Sequence, residues 1–518
     1  MRRVLSLALL WGCSAETTES DLGPPNVLLI SLDTVRADHM GSYGHSRNTT
    51  PFLDMIAQRG VVFENSYSAS NESAYSHTAL FTGRFASEVT APVYQAFTVP
   101  KGEVEGGPDA LFISELLQEQ GYETSAFIAG GHVSDDFGFD QGFDHFSSED
   151  GFAMFWHTVP KALEWLDARD GSVPWFMVLH GYDGHRPYVS PAPFYGLFTE
   201  SPDSATVTEL VRNGKASEQV YDGVYYPDAR IDWFDHVSGS RVMDPDSYSQ
   251  LATVDSVLEA STAVSLSAAE IDAIQAHYDT MLAYADLQLG LFLADAERQG
   301  KLDNTVVLIT GDHGEDLLDH EFMNHRTSLY DSSVKVPMIA WGPGFAEGQR
   351  IEGLVSAIDV VPTILELTGQ EPLEGLQGRS LRALAAGEVS APEAVYVEGV
   401  LNQLAIRTET HKLVVTNQEL LDPKLPETLA AAPIMPIDFT LVDLVADPGE
   451  RVNLLMKPTE ADRLLADQLR GQLVSWRKGV RIRKSWTSVE SSSLDMESLS
   501  PDTIQRMQDA GYLESDED

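Results

Sequence analysis

Ser73 and Ser76 stand in the run Asn71-Glu72-Ser73-Ala74-Tyr75-Ser76-His77-Thr78, which continues to Thr82-Gly83-Arg84. The pattern predicts a polar loop entering a short helix that Gly83 stops. A hydroxyl at a helix N-terminus lies in positive potential beside free backbone N–H groups, which favours an anionic group there. The alternative is that Ser73 or Ser76 is an ordinary N-cap. Other reactive side chains end apolar runs. Asn26 to Leu32 runs into Asp33, Trp175 to Leu179 ends in His180, and Thr305 to Thr310 ends in Gly311-Asp312-His313-Gly314. Carboxylates and imidazoles in such places can ligate a divalent cation or carry protons.

Those runs, with Ser125 to Ala129, are continuous and rich in Val, Ile and Leu rather than alternating, as expected of strands buried on both faces. Helical patterns fall between them at Pro51 to Arg59, Leu111 to Gln120 and Ile271 to Gln299. Strands alternating with helices predict an α/β fold with a largely parallel sheet. Ligands of such sheets bind beyond the carboxyl ends of the strands, so Asp33, His180, Asp312 and His313 are expected to share one edge. Residues 195–265 lack a clear period and read as an insertion near the mouth of the site. After residue 370 the pattern changes to short strands, Ala394 to Val397 and Lys412 to Thr416, followed by a helix from Glu460 to Trp476. The expected division is a catalytic domain over 26–370, a C-terminal subdomain over 371–485 and an acidic tail over 486–518.

The 518 residues carry 34 Lys plus Arg against 79 Asp plus Glu, a formal charge of −45, and one cysteine. That charge argues against a nucleic-acid binder, since the phosphate backbone rewards basic surfaces. A lone cysteine excludes an internal disulfide framework and a cysteine-cluster metal site, leaving oxygen and imidazole ligands. Two arginines precede the apolar run Val4 to Trp11, which is too short to span a bilayer and suits a signal peptide over 1–12. Cys13 follows directly, in a setting that resembles a bacterial lipobox, although Trp11 stands where a small residue is usual. Residues 13–25 read as a tether. The expectation is an exported protein of the bacterial cell envelope, anchored to the membrane by lipid on Cys13.

Several segments resemble the sulfatase family of the alkaline phosphatase superfamily. They are Ile30-Ser31-Leu32-Asp33-Thr34-Val35-Arg36, the pattern Ser73-x-x-Ser76-His77-x-x-Leu80-x-Thr82-Gly83-Arg84, and Leu179-His180-Gly181-Tyr182-Asp183-Gly184-His185-Arg186-Pro187. A fourth is Thr310-Gly311-Asp312-His313-Gly314-Glu315 with His325-Arg326 beyond it, and shorter echoes occur at Gly138 to Asp144, Asp359 to Thr363 and Asp443 to Glu450. They follow the family's order from residue 25 onward. The resemblance implies an alkaline phosphatase-like fold: a large, mostly parallel sheet between helices, with a smaller C-terminal α/β subdomain.

The resemblance also implies one divalent metal ion held by Asp33, Asp312 and His313, with Ser73 contributing its oxygen. Thr34 stands where many sulfatases have a second carboxylate, and His313 where they often have Asn, which moves preference from calcium towards manganese or zinc. The family's formylglycine forms within a Cys/Ser-x-Pro-x-Arg signal. Here Tyr75 replaces the proline and His77 the arginine. This disfavours formylglycine and leaves a plain Ser73 hydroxyl as nucleophile. His185 is expected to bind ester oxygens or protonate the leaving group, His325 or Arg326 to hold the ester's oxyanion, and His77 to neutralise the nucleophile or touch the oxyanion. His132 falls near the place of a family lysine. Arg36 is a further candidate beside Asp33, or a salt-bridge partner of Asp38. His39, His45, His145, His277 and His411 have no matched role.

The expected function is metal-dependent hydrolysis of sulfate or phosphate esters in a small-molecule or glycan substrate. A plain serine favours phosphate on mechanism, whereas the overall resemblance favours sulfate. The alternatives are a phosphoryl transferase or phosphodiesterase, and a non-catalytic lipoprotein that binds anionic glycans. An anionic ester must approach a strongly anionic protein, and only 10 of the 34 basic residues are Lys. Turnover of anionic esters should therefore rise with moderate salt, as long-range repulsion is screened. A fall over that range, with fold and bound metal intact, contradicts the expectation.

Overall fold

The structure is a computed structural model that describes residues 23–89, 111–148, 152–199, 203–212, 220–221, 224–225, 264–320, 322–400, 403–416 and 439–480. Cys13, the expected signal peptide, the acidic tail and most of the expected insertion at 195–265 lie outside these residues. Eight strands form the large sheet. They are β1 (Asn26–Leu32), β2 (Val61–Tyr67), β3 (Glu123–Phe127), β4 (His145–Ser147), β5 (Trp175–Gly181), β6 (Thr305–Gly311), β7 (Met338–Trp341) and β8 (Gln349–Ser356). Their spatial order is β8-β2-β7-β6-β1-β5-β3-β4. Only β7 opposes its neighbours; the other pairings are parallel.

The central strands are buried throughout, and their side chains divide by the two-residue period of a strand. Val27, Leu29, Phe176, Val178, Val306 and Leu308 enter one core, and Leu28, Ile30, Met177, Leu179, Val307 and Ile309 the other. The first core is covered by α2 (Ser73–Thr82), α3 (Ile113–Glu119) and α6 (Val360–Leu367). The second is covered by α1 (Pro51–Arg59), α4 (Phe155–Asp167) and the long α5 (Ala268–Arg298). The strand expected at Ser125 to Ala129 forms two residues early, at Glu123–Phe127. Ile128 adds one bond to the Ser147 carbonyl before Gly130, at φ 91°, turns the chain.

Register decides where the chemistry lands. Leu32 lies opposite Gly181 on one side and Gly311 on the other. The Asp33 N–H donates to the Gly181 carbonyl at 3.2 Å, and the Asp312 N–H to the Leu32 carbonyl at 3.3 Å. Asp33 and Asp312 thus leave adjacent parallel strands at the same level.

The C-terminal subdomain is an antiparallel sheet of β9 (Ala394–Gly399), β10 (Gln403–Thr408), β11 (His411–Val415) and β12 (Phe439–Asp443), covered by α7 (Glu460–Gly479). The α7 helix runs one turn past the expected end at Trp476, whose indole stacks on Tyr396 and packs edge-on against Phe85. This subdomain grips the loops that lead to the site. The Glu398 N–H donates to the Ala69 carbonyl at 2.9 Å, the Val400 N–H to Asn71 Oδ1 at 3.3 Å, and Gln403 Nε2 to the Thr327 carbonyl at 3.0 Å. Buried Lys412 reaches the Leu329 carbonyl at 3.1 Å, Asp331 at 2.5 Å and Glu450 at 2.7 Å. Removing its cation leaves the buried Glu450 carboxylate facing the partly buried one of Asp331. Lys412→Ala should therefore cost about 3–5 kcal/mol in urea unfolding. An unchanged midpoint would show that these carboxylates carry no net charge in the fold.

Candidate active site

Asp33, Ser73, Asp312 and His313 converge although they come from three distant parts of the chain. All four are buried, at 3% exposure or less. Ser73 Oγ donates to Asp33 Oδ2 at 3.1 Å and lies 3.2 Å from His313 Nε2. Asp312 Oδ1 accepts from the N–H groups of Thr34 at 3.0 Å and His313 at 2.7 Å. His313 Nδ1–H donates to the Gly314 carbonyl at 2.9 Å, which leaves Nε2 as the ring nitrogen facing the cluster. Ligand atoms of Asp33, Asp312 and His313 lie within 4.8 Å of one another.

Two local features make this approach possible. Thr34 has φ 55°, a left-handed conformation unusual for a β-branched residue. It is held on three sides: its N–H by Asp312, its carbonyl by the Tyr278 hydroxyl at 2.7 Å, and its Oγ by the Asp33 carbonyl at 2.8 Å. Gly184 passes so near that a Cβ there would stand 2.6 Å from the Asp33 carbonyl oxygen.

These residues fit a divalent cation. Asp33 Oδ1 and Asp312 Oδ2 are buried and have no hydrogen-bond donor among the described residues. Burial and the neighbouring Asp312 push the Asp33 carboxyl well above the usual range, as happens when two carboxylates meet without a cation between them. Two carboxylates, one imidazole and one hydroxyl form a mixed O/N donor set suited to a first-row or similar divalent ion.

Ser73 opens α2, but neither Ser73 nor Ser76 is its N-cap. That place belongs to Glu72, whose Oε2 accepts from the N–H groups of Ala74 at 3.0 Å and Tyr75 at 3.3 Å. Ser76 Oγ donates to the Ser70 carbonyl at 3.1 Å. The other Glu72 oxygen accepts from His132 Nδ1 at 2.7 Å and Arg326 Nη2 at 3.4 Å. Burial opposes ionisation of Glu72, but the His132 bond and the Arg326 charge outweigh it and carry its pKa down to about 2. Glu72 was not among the residues singled out from sequence. Its place just before the helix was the available signal, though Ser, Thr, Asp and Asn are the more usual caps.

The imidazoles form a buried group. His77 Nδ1–H donates to the Ser73 carbonyl at 2.8 Å, and its Nε2 accepts from Ser31 Oγ at 2.9 Å. Both of its nitrogens thus meet neutral partners, although Nδ1 is also 3.7 Å from Asp312 Oδ2. His180 Nδ1 accepts from the Ala129 N–H at 3.4 Å, and its Nε2 lies 3.7 Å from Asp33 Oδ2. His185 donates from Nδ1 to the Arg186 carbonyl at 2.7 Å. The His325 ring lies 5.2 Å from the His185 ring and 4.6 Å from that of His313, and its Nδ1 is 3.1 Å from Glu315 Oε1. Burial lowers the pKa of His77, of His180 and His325 strongly, and of His185 to about 3, where Arg186 adds to the effect. Glu315 is a second residue that sequence reasoning missed; burial raises it to about 8.

Arg36 does not face Ser73. Its guanidinium pairs with Asp38 at 2.8 Å and Asp319 at 2.5 Å and donates to the Glu315 carbonyl at 3.1 Å. His39 and His45 meet on buried Asp279 of α5 at 2.5 and 3.0 Å, where Arg47 also binds at 2.7 Å. This is a saturated carboxylate that ties the loop after β1 to α5.

Above about pH 7.5 an unfolded chain has lost nearly all its histidine protons, so buried neutral histidines no longer affect stability there. The raised carboxyls then dominate, Asp183 at about 7 and Glu315 at about 8. They keep protons in the fold that the unfolded chain has released, so stability of the metal-free protein falls as pH rises from about 7.5 through about 8. A cation on Asp33 and Asp312 favours their ionised forms and offsets the loss. Melting of chelator-treated protein across this window should show the decline, with Mn²⁺ or Zn²⁺ reversing it. Stability that rises with pH and ignores metal would contradict the assignment.

The sulfatase family model matches residues 25–370, and the model for the C-terminal part of N-sulphoglucosamine sulphohydrolase matches residues 318–479. An N-acetylglucosamine-6-O-sulfatase of Bacteroides thetaiotaomicron is 24% identical over 516 residues, covering 88% of this chain and 87% of its own. A structure solved with its substrate D-glucosamine-2-N,6-O-disulfate superposes with a TM-score of 0.66 at 21% identity, over 90% of this chain and 100% of that one. The phosphonate monoester hydrolase of Agrobacterium radiobacter does so at 0.61 and 20% identity, over 88% and 95%. Among the described residues no helix is long and apolar enough to cross a membrane. The fold is alkaline phosphatase-like, and the chain belongs to the sulfatase family as a sulfatase-like hydrolase.

Proposed function

We propose that this chain hydrolyses sulfate or closely related esters, with an unmodified Ser73 as nucleophile and one divalent cation, Mn²⁺ or Zn²⁺ preferred, on Asp33, Asp312, His313 and the Ser73 oxygen. The observation that carries the reading is the buried pair of unpartnered carboxylate oxygens around the Ser73 hydroxyl. When bound, such a cation supplies positive charge that acidifies a serine hydroxyl and polarises an ester. Asp33 accepts the Ser73 hydrogen bond and aims its oxygen. Attack by Ser73 on the sulfur or phosphorus breaks the bond to the leaving alcohol and forms a serine ester. Neutral His185 and His325 are near enough to one another to handle the leaving-group proton and later that of the attacking water. Arg326 brings a guanidinium to the mouth of α2, His132 bonds to the Glu72 carboxylate beside it, and His77 holds the Ser73 backbone.

The name of the Bacteroides relative supports a sulfated amino sugar or similar glycan as substrate. The sequence at Cys13 supports export to the cell envelope with a lipid anchor, residues 13–25 as tether, 26–370 as the catalytic unit and 371–485 as its subdomain. The phosphonate monoester hydrolase neighbour supports a second reading, a hydrolase of phosphorus esters. Assays of 4-nitrophenyl sulfate and phosphorus analogues with Mn²⁺, Zn²⁺ and Ca²⁺ separate the two. Ser73→Ala should lower kcat by on the order of 10³-fold or more with metal still bound. Mass spectrometry of the Ser73 peptide should find plain serine; an aldehyde there overturns the plain-serine mechanism.

A further inference from the structure

The nucleophile is preceded by an acid. Glu72 is buried at 3% exposure, caps α2, and takes four hydrogen bonds: two from backbone N–H groups, one from His132 and one from Arg326. A carboxylate surrounded by four donors is ionised. It therefore offsets both positive features that would draw an anion to Ser73, the N-terminus of α2 and the Arg326 guanidinium. Among the described residues, the other cations near this side are engaged elsewhere. His77 stands where the family's signal carries arginine, yet its ring bonds to the Ser73 carbonyl and Ser31 hydroxyl. Arg36 is consumed by Asp38 and Asp319. Arg186 exerts its charge on His185, His325 and Glu315 rather than on Glu72. With Asp33 and Asp312 balancing a divalent ion, the space before Ser73 holds little net positive charge.

We infer that Glu72 is a specificity-determining residue, which makes the site select esters carrying one negative charge over those carrying two. It does this by tying up Arg326 and placing a fixed anion one residue from the nucleophile. Sulfate monoesters and phosphorus diesters are monoanions at neutral pH, whereas phosphate monoesters are dianions. Each interacts with the Glu72 charge in proportion to its own, so the penalty grows with the second charge. The inference rests on the ester-hydrolase reading for its substrate class, but its electrostatic core concerns binding alone.

Both parts are testable separately. In the metal-loaded protein, Glu72→Gln keeps an oxygen to cap α2 while removing the charge. The ratio of kcat/KM for 4-nitrophenyl phosphate over 4-nitrophenyl sulfate should rise by roughly 10-fold. A purely structural role for Glu72 would lower both activities and leave the ratio alone, which overturns the inference. In a Ser73→Ala background, which cannot turn over, calorimetric binding of the same two esters should show the same shift in ratio when Glu72→Gln is added. A shift in binding without wild-type turnover sustains the charge selection and removes the hydrolase reading. Turnover with no shift in either ratio does the reverse, and failure of both esters to bind overturns the inference. Should Glu72→Gln not fold, Glu72→Asn supplies an uncharged residue well suited to the N-cap, with the same expected direction.

Discussion

Everything at the site follows from two carboxylates brought face to face without a donor between them. Asp33 and Asp312 end neighbouring parallel strands whose register puts Leu32 beside Gly311. Burying one charge there is costly, and burying two of like sign is worse. Every neighbour reads as a response to that constraint. Thr34 accepts a left-handed backbone so that its N–H can hold Asp312, and Tyr278 reaches from α5 to secure that strained turn. His313 turns Nδ1–H away to the Gly314 carbonyl and presents Nε2. Strain of this kind persists where the surroundings over-determine it and a bound group repays it.

Around this centre the polar side chains fall into two classes. Some, like Arg36 and Lys412, are locked into carboxylates and hold loops. Others, like His185 and His325, sit close to one another with depressed basicity, which keeps them neutral and able to pass a proton. Glu72 bridges the classes. It is structural as a helix cap and electrostatic as the partner of Arg326. The C-terminal sheet contributes by gripping residues 69–71 and 327–331, the approaches to Ser73 and Arg326. The site is thus assembled between the large sheet and the small one.

Much of this was legible in the sequence, and the reason is periodicity. Continuous apolar runs mark β1, β5 and β6, and the rule that ligands collect at strand carboxyl ends groups Asp33, His180, Asp312 and His313 from sequence alone. Gly83 marked the end of α2, where it caps the helix at φ 66°. The Glu72 contacts could not be read the same way, because they depend on loops from 130–132 and 325–326 folding back onto α2. Glu315 was visible inside a recognised motif, but nothing local says that its carboxylate meets His325, ten residues on. His77 shows the limit from the other side. It occupies a motif position associated with a cation, whereas its ring nitrogens have neutral partners that only the three-dimensional contacts reveal.

The formal charge of −45 and the neutrality of the site are parts of one electrostatic problem. A distant field of that sign repels every anionic ester, but salt screens it over about 8 Å at physiological ionic strength. Charges inside the buried site are screened far less. On the proposed mechanism, selection among anions therefore belongs to a few nearby groups: Asp33 and Asp312 with the cation proposed for them, Arg186, and the Glu72–Arg326 pair. A second carboxylate at Thr34 would have added another negative charge to the ligand set. With threonine there, the proposed ligand set holds two carboxylates, whose charge a divalent ion would match. The ester is then met by a nearly balanced centre, in which one residue beside the nucleophile can decide how much negative charge is admitted.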